Sequence, residues 1–371
     1  MTVARVGTGE PSRAVLGSDA GDLSAQGASS AQYGAAAGPI AVLGSWVARD
    51  LVEVSHDPRR LDTGGKWAVV ATFEGEFTLA RFASWTKDPV RDDEMGDWYG
   101  PDVRAWSSSL DRREFTRRVE QIRQLIASGD VYQANLCRRM SAVLPDPGAA
   151  DPAALWRRVR AANPAPFAGF VRIPGLAMVS ASPELFLRRS GDLVESGPIK
   201  GTGLHESDLR DKDRAENVMI VDLVRNDLAR VCQTGAVSVP RLLKFERHPG
   251  MVHLVSVVAG RLRPEVSWSD VFAATYPPGS VSGAPKIAAL SIIQELEPVE
   301  RGPYCGMFGW IDADRMAAEL AVGIRSFWMG NGQLHFGTGA GITWGSDAEA
   351  EWAETELKAR LLLSVASGGG A

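Results

Sequence analysis

Apolar and polar positions switch between two periods along most of this chain. Phe115, Val119, Ile122, Leu125 and Ile126 recur at helical spacing, and Gly129 follows as a stop, which predicts a helix. Trp67 to Phe73 reads as a strand, followed by a Glu-Gly turn and a second strand through Phe77 and Leu79. Short strands are predicted at 169–173, 177–180 and 185–188. A long helix is predicted over 208–232. Val252, Leu254, Ser256 and Val258 alternate with His253, Val255, Val257 and Ala259, as a buried strand would. A helix over 285–296, strands over 306–312 and 318–328, and a last helix over 347–364 complete the pattern.

Strands outnumber helices and come in consecutive groups, with neither regular βαβ alternation nor an internal repeat. The expectation is an α+β fold with large, mostly antiparallel sheets packed with helices. Residues 1–38 are rich in Ala, Gly and Ser and bury too little apolar surface to offset ordering entropy, so they read as a disordered arm. Residues 366–371 read as a similar tail. No linker-like stretch interrupts 39–365, which is expected to form one unit.

Composition narrows the function classes. The 371 residues carry a net charge of −5, and no apolar run has the length of a membrane span, so neither nucleic acid nor membrane is expected as a partner. Cys137, Cys232 and Cys305 form no CxxC pair, which suits reduced thiols in the cytoplasm, and the apolar surroundings of Cys137 and Cys305 suit burial.

Four groups of residues are candidates for chemistry. Asp213 and Glu216 stand three apart on the long helix, and Glu351 and Glu354 on the last, with Lys358 following by four. Each helix can present two carboxylates on one face, a donor set suited to a hard cation, although the same spacing also suits solvated surface charge. Ser182-Pro183-Glu184 precedes Gly197-Pro198-Ile199-Lys200-Gly201-Thr202-Gly203, in which Lys200 is the one charge. Enclosed, that amine would act as nucleophile or base; exposed, it is an ordinary loop lysine. Gly337-Thr338-Gly339-Ala340-Gly341 and the stretch from Gly279 through Ser282 to Lys286 are turns or anion cradles. Lastly, Arg325 in an apolar strand needs an anionic partner, and His253 reads as a core histidine or a site residue.

The order of these groups resembles the chorismate-binding enzymes. The resemblance rests on GDVYQANL (129–136), ASPELF (181–186), GPIKGT (197–202), AENVMIVDLVRNDLARVC (215–232), MVHLVSVVAGRL (251–262), YPPGSVSGAPKIAAL (276–290), RGPYCGMFGWID (301–312), AVGIRS (321–326), GTGAGI (337–342) and EAEWAETELKA (349–359). It covers 110–365 strongly and 39–108 loosely, and implies a chorismate-binding catalytic domain. It implies chorismate as substrate and Mg²⁺ as cofactor, with Glu216 and Glu354 as ligands and Asp213 and Glu351 in support. Lys358 would face the ring carboxylate. Arg325, Tyr304 and the backbone of Gly339, Ala340 and Gly341 would hold the enolpyruvyl carboxylate. Thr202 and His253 would lie beside the leaving hydroxyl, Ser282 would help bind substrate, and Glu184 would be the general acid.

Two positions speak to the branch of that family. Gln133 stands where water-using members carry a lysine base, which points to ammonia as nucleophile. Lys200 in PIKGT resembles the aminodeoxychorismate synthases, where this lysine forms a covalent adduct at C2 and ammonia then attacks C4. Anthranilate synthase component I, with a small residue there, is the nearest alternative, and a non-catalytic chorismate-binding subunit is a second. No cysteine sits in a glutaminase elbow, so a separate glutamine amidotransferase is the expected ammonia source, serving p-aminobenzoate and folate synthesis.

Overall fold

The structure, a computed structural model, describes residue 33 and residues 38–203, 205–209, 211–248 and 251–368, without the side chains of Thr202, His248 and Met251. The arm expected over 1–38 lies outside these residues, apart from Tyr33 and Gly38. The Tyr33 hydroxyl accepts from the Gly332 N–H at 3.0 Å.

Strands β1 (Ile40–Leu43), β2 (Trp46–Ser55), β3 (Lys66–Ala71), β4 (Phe77–Thr86) and β5 (Ser107–Ser108) precede helix α1 (Arg112–Ser128). Strand β6 (Gln133–Val143) leads into α2 (Pro152–Ala162). Next come β7 (Phe167–Ile173), β8 (Leu176–Ser182), β9 (Leu185–Ser190), β10 (Leu193–Gly197) and β11 (Ile199–Gly203), then α3 (Asp211–Ala229). They are followed by β12 (Ser238–His248), β13 (Met251–Arg261), α4 (Trp268–Thr275), β14 (Gly283–Ala284) and α5 (Lys286–Leu296). The chain finishes with β15 (Met307–Asp312), β16 (Ala317–Val322), β17 (Ser326–Gly330), β18 (Gln333–Ile342) and α6 (Ala348–Ala366).

Every strand pairing is antiparallel, as expected for α+β. From one end the ribbon runs β6, β18, β17, β8, β7, β1, β2, β4. It continues through β3, β15, β16, β9, β10, β13 and β12. Short β5 and β14 pair with β6, and β11 continues from β10 along β13.

Helix α3 buries Ile220, Val221, Val224 and Leu228 in the larger core cluster. Its Asn217 fixes it to β13: the Asn217 amide donates to Leu254 O at 3.0 Å, and the Ser256 hydroxyl donates to Asn217 Oδ1 at 2.5 Å. Helix α6 buries Ala359, Leu362 and Ala366 in a second cluster. These anchors turn Asp213 and Glu216 on α3, and Glu351 and Glu354 on α6, toward one space.

The structure departs from the sequence expectations in two places that matter. The strand expected over 318–328 is broken between β16 and β17. Arg325 adopts φ 51° in the gap, and its carbonyl accepts from Ala181 N–H at 3.1 Å. The tail expected from 366 is partly ordered: Ala366 closes α6, the Ser367 hydroxyl donates to Leu363 O at 2.7 Å, and Gly368 N–H donates to Pro101 O at 3.0 Å.

Candidate active site

A cavity of about 440 Å³ lies among β11, β13, β18, α3 and α6. Its wall carries Glu184, Lys200, Asp213, Glu216, His253, Tyr304, Arg325, Gly339, Ala340, Gly341, Glu351, Glu354 and Lys358. Thirteen of the sixteen residues singled out in the sequence therefore share one space. They come from elements far apart in the chain.

One side of the cavity is organised by Glu216. Its Oε1 accepts from Lys200 Nζ at 2.7 Å and from Gln133 Nε2 at 2.6 Å. Gln133 does not line the cavity itself; it is fully buried on β6 and supports Glu216 from behind. Burial alone would raise the Glu216 pKa, but the Lys200 ammonium, aided by Gln133, outweighs it and leaves the carboxyl below its usual value. Gly341 permits this bridge: a Cβ there would fall 2.4 Å from Gln133 Nε2 and 2.8 Å from Glu216 Oε1.

Glu184 sits between β8 and β9, only 4% exposed. Burial pushes its pKa up to about 7, against the opposing pull of Ser280, Lys200 and the Ile199 N–H. A carboxyl in that state holds a proton near neutrality and can deliver it.

Cationic and aromatic side chains line the cavity as well. Arg325 is brought inward by the break between β16 and β17, and burial lowers its pKa. The Tyr304 ring lies flat over Gly337, where a Cβ would meet Tyr304 Cγ at 2.0 Å. Lys358 Nζ donates to Gly339 O at 3.1 Å and lies 2.6 Å from Glu354 Oε1.

The four carboxylates form an all-oxygen donor set on one cavity, which suits Mg²⁺ chemically. Lysine ammonium groups stand against three of them as resident cations: Lys200 on Glu216, Lys212 on Glu351 and Lys358 on Glu354. Among the described residues, no three acidic, His or Cys side chains are yet close enough to share one ion.

Ser282 is placed otherwise, and Thr202 is described in its backbone alone. Ser282 is fully buried away from the cavity, its hydroxyl donating to Pro278 O at 3.1 Å. The Ser280 hydroxyl, two residues earlier in the same tight turn, is the one that reaches Glu184. Thr202 pairs its backbone with His253 across β11 and β13, and its side chain is outside the described residues. The start of α5 is no anion cradle either: Lys286 Nζ is bound to Asp227 at 2.6 Å and to the carbonyls of Thr275 and Pro277. Sequence reasoning missed Ser280, Lys212 and Asn135 as cavity residues. Lys212 had a signal, since it adjoins Asp213. Asn135 had one too, two residues along β6 from Gln133. All three cysteines are free and buried, which was expected of Cys137 and Cys305. No helix among the described residues is long and apolar enough to cross a membrane.

Residues 66–364 match the chorismate binding enzyme family, and the chain belongs to it. Anthranilate synthase component 1 1 of Haloarcula marismortui is 40% identical over 299 residues, covering 77% of this chain and 59% of that protein. Aminodeoxychorismate synthase component 1 of Klebsiella aerogenes is 38% identical over 273 residues, covering 70% of this chain and 59% of that protein. The chain thus spans less than two thirds of the length of these relatives. Among solved structures, anthranilate synthase component I from Streptococcus pneumoniae superposes with a TM-score of 0.70 at 28% identity, covering 81% of this chain and 80% of that one.

Proposed function

We propose that this chain converts chorismate and ammonia to 4-amino-4-deoxychorismate. The observation that carries the reading is the shared cavity of Lys200 and Glu184. A lysine amine and a carboxyl whose pKa stands at about 7 line the same enclosed space. Lys200, freed of its proton, attacks C2 of the ring. The ring double bonds shift, and the C4–O bond breaks as Glu184 gives its proton to the departing hydroxyl, releasing water. Ammonia then forms the C4–N bond and Lys200 leaves C2. His253, which lines the same cavity, would order the leaving hydroxyl.

In this reading Arg325, Tyr304 and the Gly339–Gly341 backbone hold the enolpyruvyl carboxylate, and Lys358 faces the ring carboxylate. Glu216 and Glu354, with Asp213 and Glu351 in support, would hold Mg²⁺, which when bound neutralises the ring carboxylate. A separate glutamine amidotransferase subunit supplies the ammonia, and the product feeds p-aminobenzoate and folate synthesis.

Incubation with chorismate, Mg²⁺ and ammonium, followed by chromatography and mass spectrometry, tests the product. 4-Amino-4-deoxychorismate supports the reading. Anthranilate fluorescence without added lyase supports the rival that relatives of 40% identity bring forward, anthranilate synthase component I. A mass adduct on wild-type protein that persists undiminished in Lys200→Ala removes the lysine from its assigned role.

A further inference from the structure

Glu216, Glu351 and Glu354 on the cavity wall each face a lysine, and each lysine comes from a different element. Lys200 on β11 lies 2.7 Å from Glu216, Lys358 on α6 lies 2.6 Å from Glu354, and Lys212 on α3 lies 3.4 Å from Glu351. The Lys200–Glu216 pair is the most enclosed, with side-chain exposures of 11% and 12%. The Lys212 contact joins the two acidic helices, since it reaches from α3 to α6.

An ammonium and a divalent ion compete for the same oxygen lone pairs. In Glu216 one oxygen already accepts from both Lys200 and Gln133, and an ammonium held this close repels an incoming divalent ion. We propose that Lys200, Lys212 and Lys358 are resident counter-ions that a divalent cation must displace, so that metal loading is an exchange of cations. This rests on the reading of Asp213, Glu216, Glu351 and Glu354 as the metal-holding set.

The exchange has two physical consequences. Without metal, the acidic residues are held in place with much of their charge balanced, and Lys212 ties α3 to α6 in the ion's stead. On metal loading, ammonium groups are released into a cavity read here as taking a dianion. Metal and anionic substrate therefore strengthen each other's binding through the lysines, and by linkage the coupling is equal in both directions. Lys212 is a positioning residue in this scheme, acting through Glu351 and the metal.

Titration calorimetry of the full chain with Mg²⁺, in the absence of substrate, tests the exchange. The Mg²⁺ dissociation constant is expected to fall by about tenfold in Lys200→Met and severalfold in Lys212→Met. Metal-free Lys200→Met is expected to melt below wild type, because Glu216 keeps a buried charge without its partner, and Mg²⁺ should raise its Tm more than it raises that of wild type. Lys212 is 46% exposed, so Lys212→Met is tolerated by the fold and gives an independent answer. Mg²⁺ binding to wild type with equal or weaker binding to both variants overturns the exchange alone. Neither heat nor a Tm shift with Mg²⁺ in wild type overturns the metal-holding set as well.

Discussion

In the wild-type protein the Glu184 carboxyl is enclosed, and its folded-state pKa of about 7 stands above the ordinary 4.5. Below pH 4.5 both folded and unfolded chains hold the proton. Between 4.5 and about 7 the unfolded chain ionises first, so stability drains away as pH rises. Above 7 the loss is complete. At about 1.4 kcal/mol per pKa unit, the gap corresponds to roughly 3 kcal/mol. Glu184→Gln keeps the shape and removes the titration. Urea unfolding of both proteins in EDTA, at pH 4.5 and pH 8.5, isolates the effect, since every other titrating group is common to both. The variant should match wild type within about 1 kcal/mol at the acidic pH and exceed it by ~2–3 kcal/mol at the alkaline one. Its turnover of chorismate should fall at least about a hundredfold, because no proton donor remains for the leaving hydroxyl. A stability difference that does not change with pH would refute the account of Glu184 as a carboxyl whose pKa is raised by burial.

Three further perturbations follow from the geometry. Gly341→Ala places a methyl 2.4 Å from Gln133 Nε2 and should break its bridge to Glu216, lowering kcat/KM about a hundredfold with only a small change in Tm. Arg325→Ala should raise KM for chorismate and cost about 3 kcal/mol in kcat/KM, read by steady-state kinetics, because a buried anion loses its cation. Asp151→Asn should destabilise the fold by about 3–5 kcal/mol in urea titration, since Arg172 lies 2.6 Å from Asp151 and both side chains are almost fully buried.

Long periodic segments were the legible part of the sequence. The 3.6-residue rhythm from Phe115 to Ile126 is α1, and Gly129 caps it at φ 88°. The acidic pairs share a cavity because helices α3 and α6 each keep residues three apart on one face. What the sequence hid was decided by tertiary contacts. The break at Arg325 falls in a mostly apolar stretch that gives no sign of it. It is held by backbone hydrogen bonds outside the strand ladders: Gly323 O accepts from Cys305 N–H at 2.9 Å and Arg325 O from Ala181 N–H at 3.1 Å. Helix α2 went unread although Asp151 caps it and Leu155, Trp156 and Val159 give it an apolar face, and α4 is only eight residues long. Ser280 and Ser282 stand two apart in one tight turn, and local sequence does not say which hydroxyl turns toward Glu184. The lysine partners of the carboxylates could not be read either, because Lys200, Lys212 and Lys358 meet their acids through the assembled fold.

The hydrogen bond from Gln133 to Glu216 spans 83 positions of sequence and links the first strand of the ribbon to a helix packed near its last. Any contiguous fragment that contains both Gln133 and Lys358 takes in well over half of the chain. Cut anywhere between those two residues, each piece keeps some of the cavity's side chains and loses their counterparts. The cavity is a property of closure, and ligand binding to it would double as a readout of whether the last long-range contacts have formed.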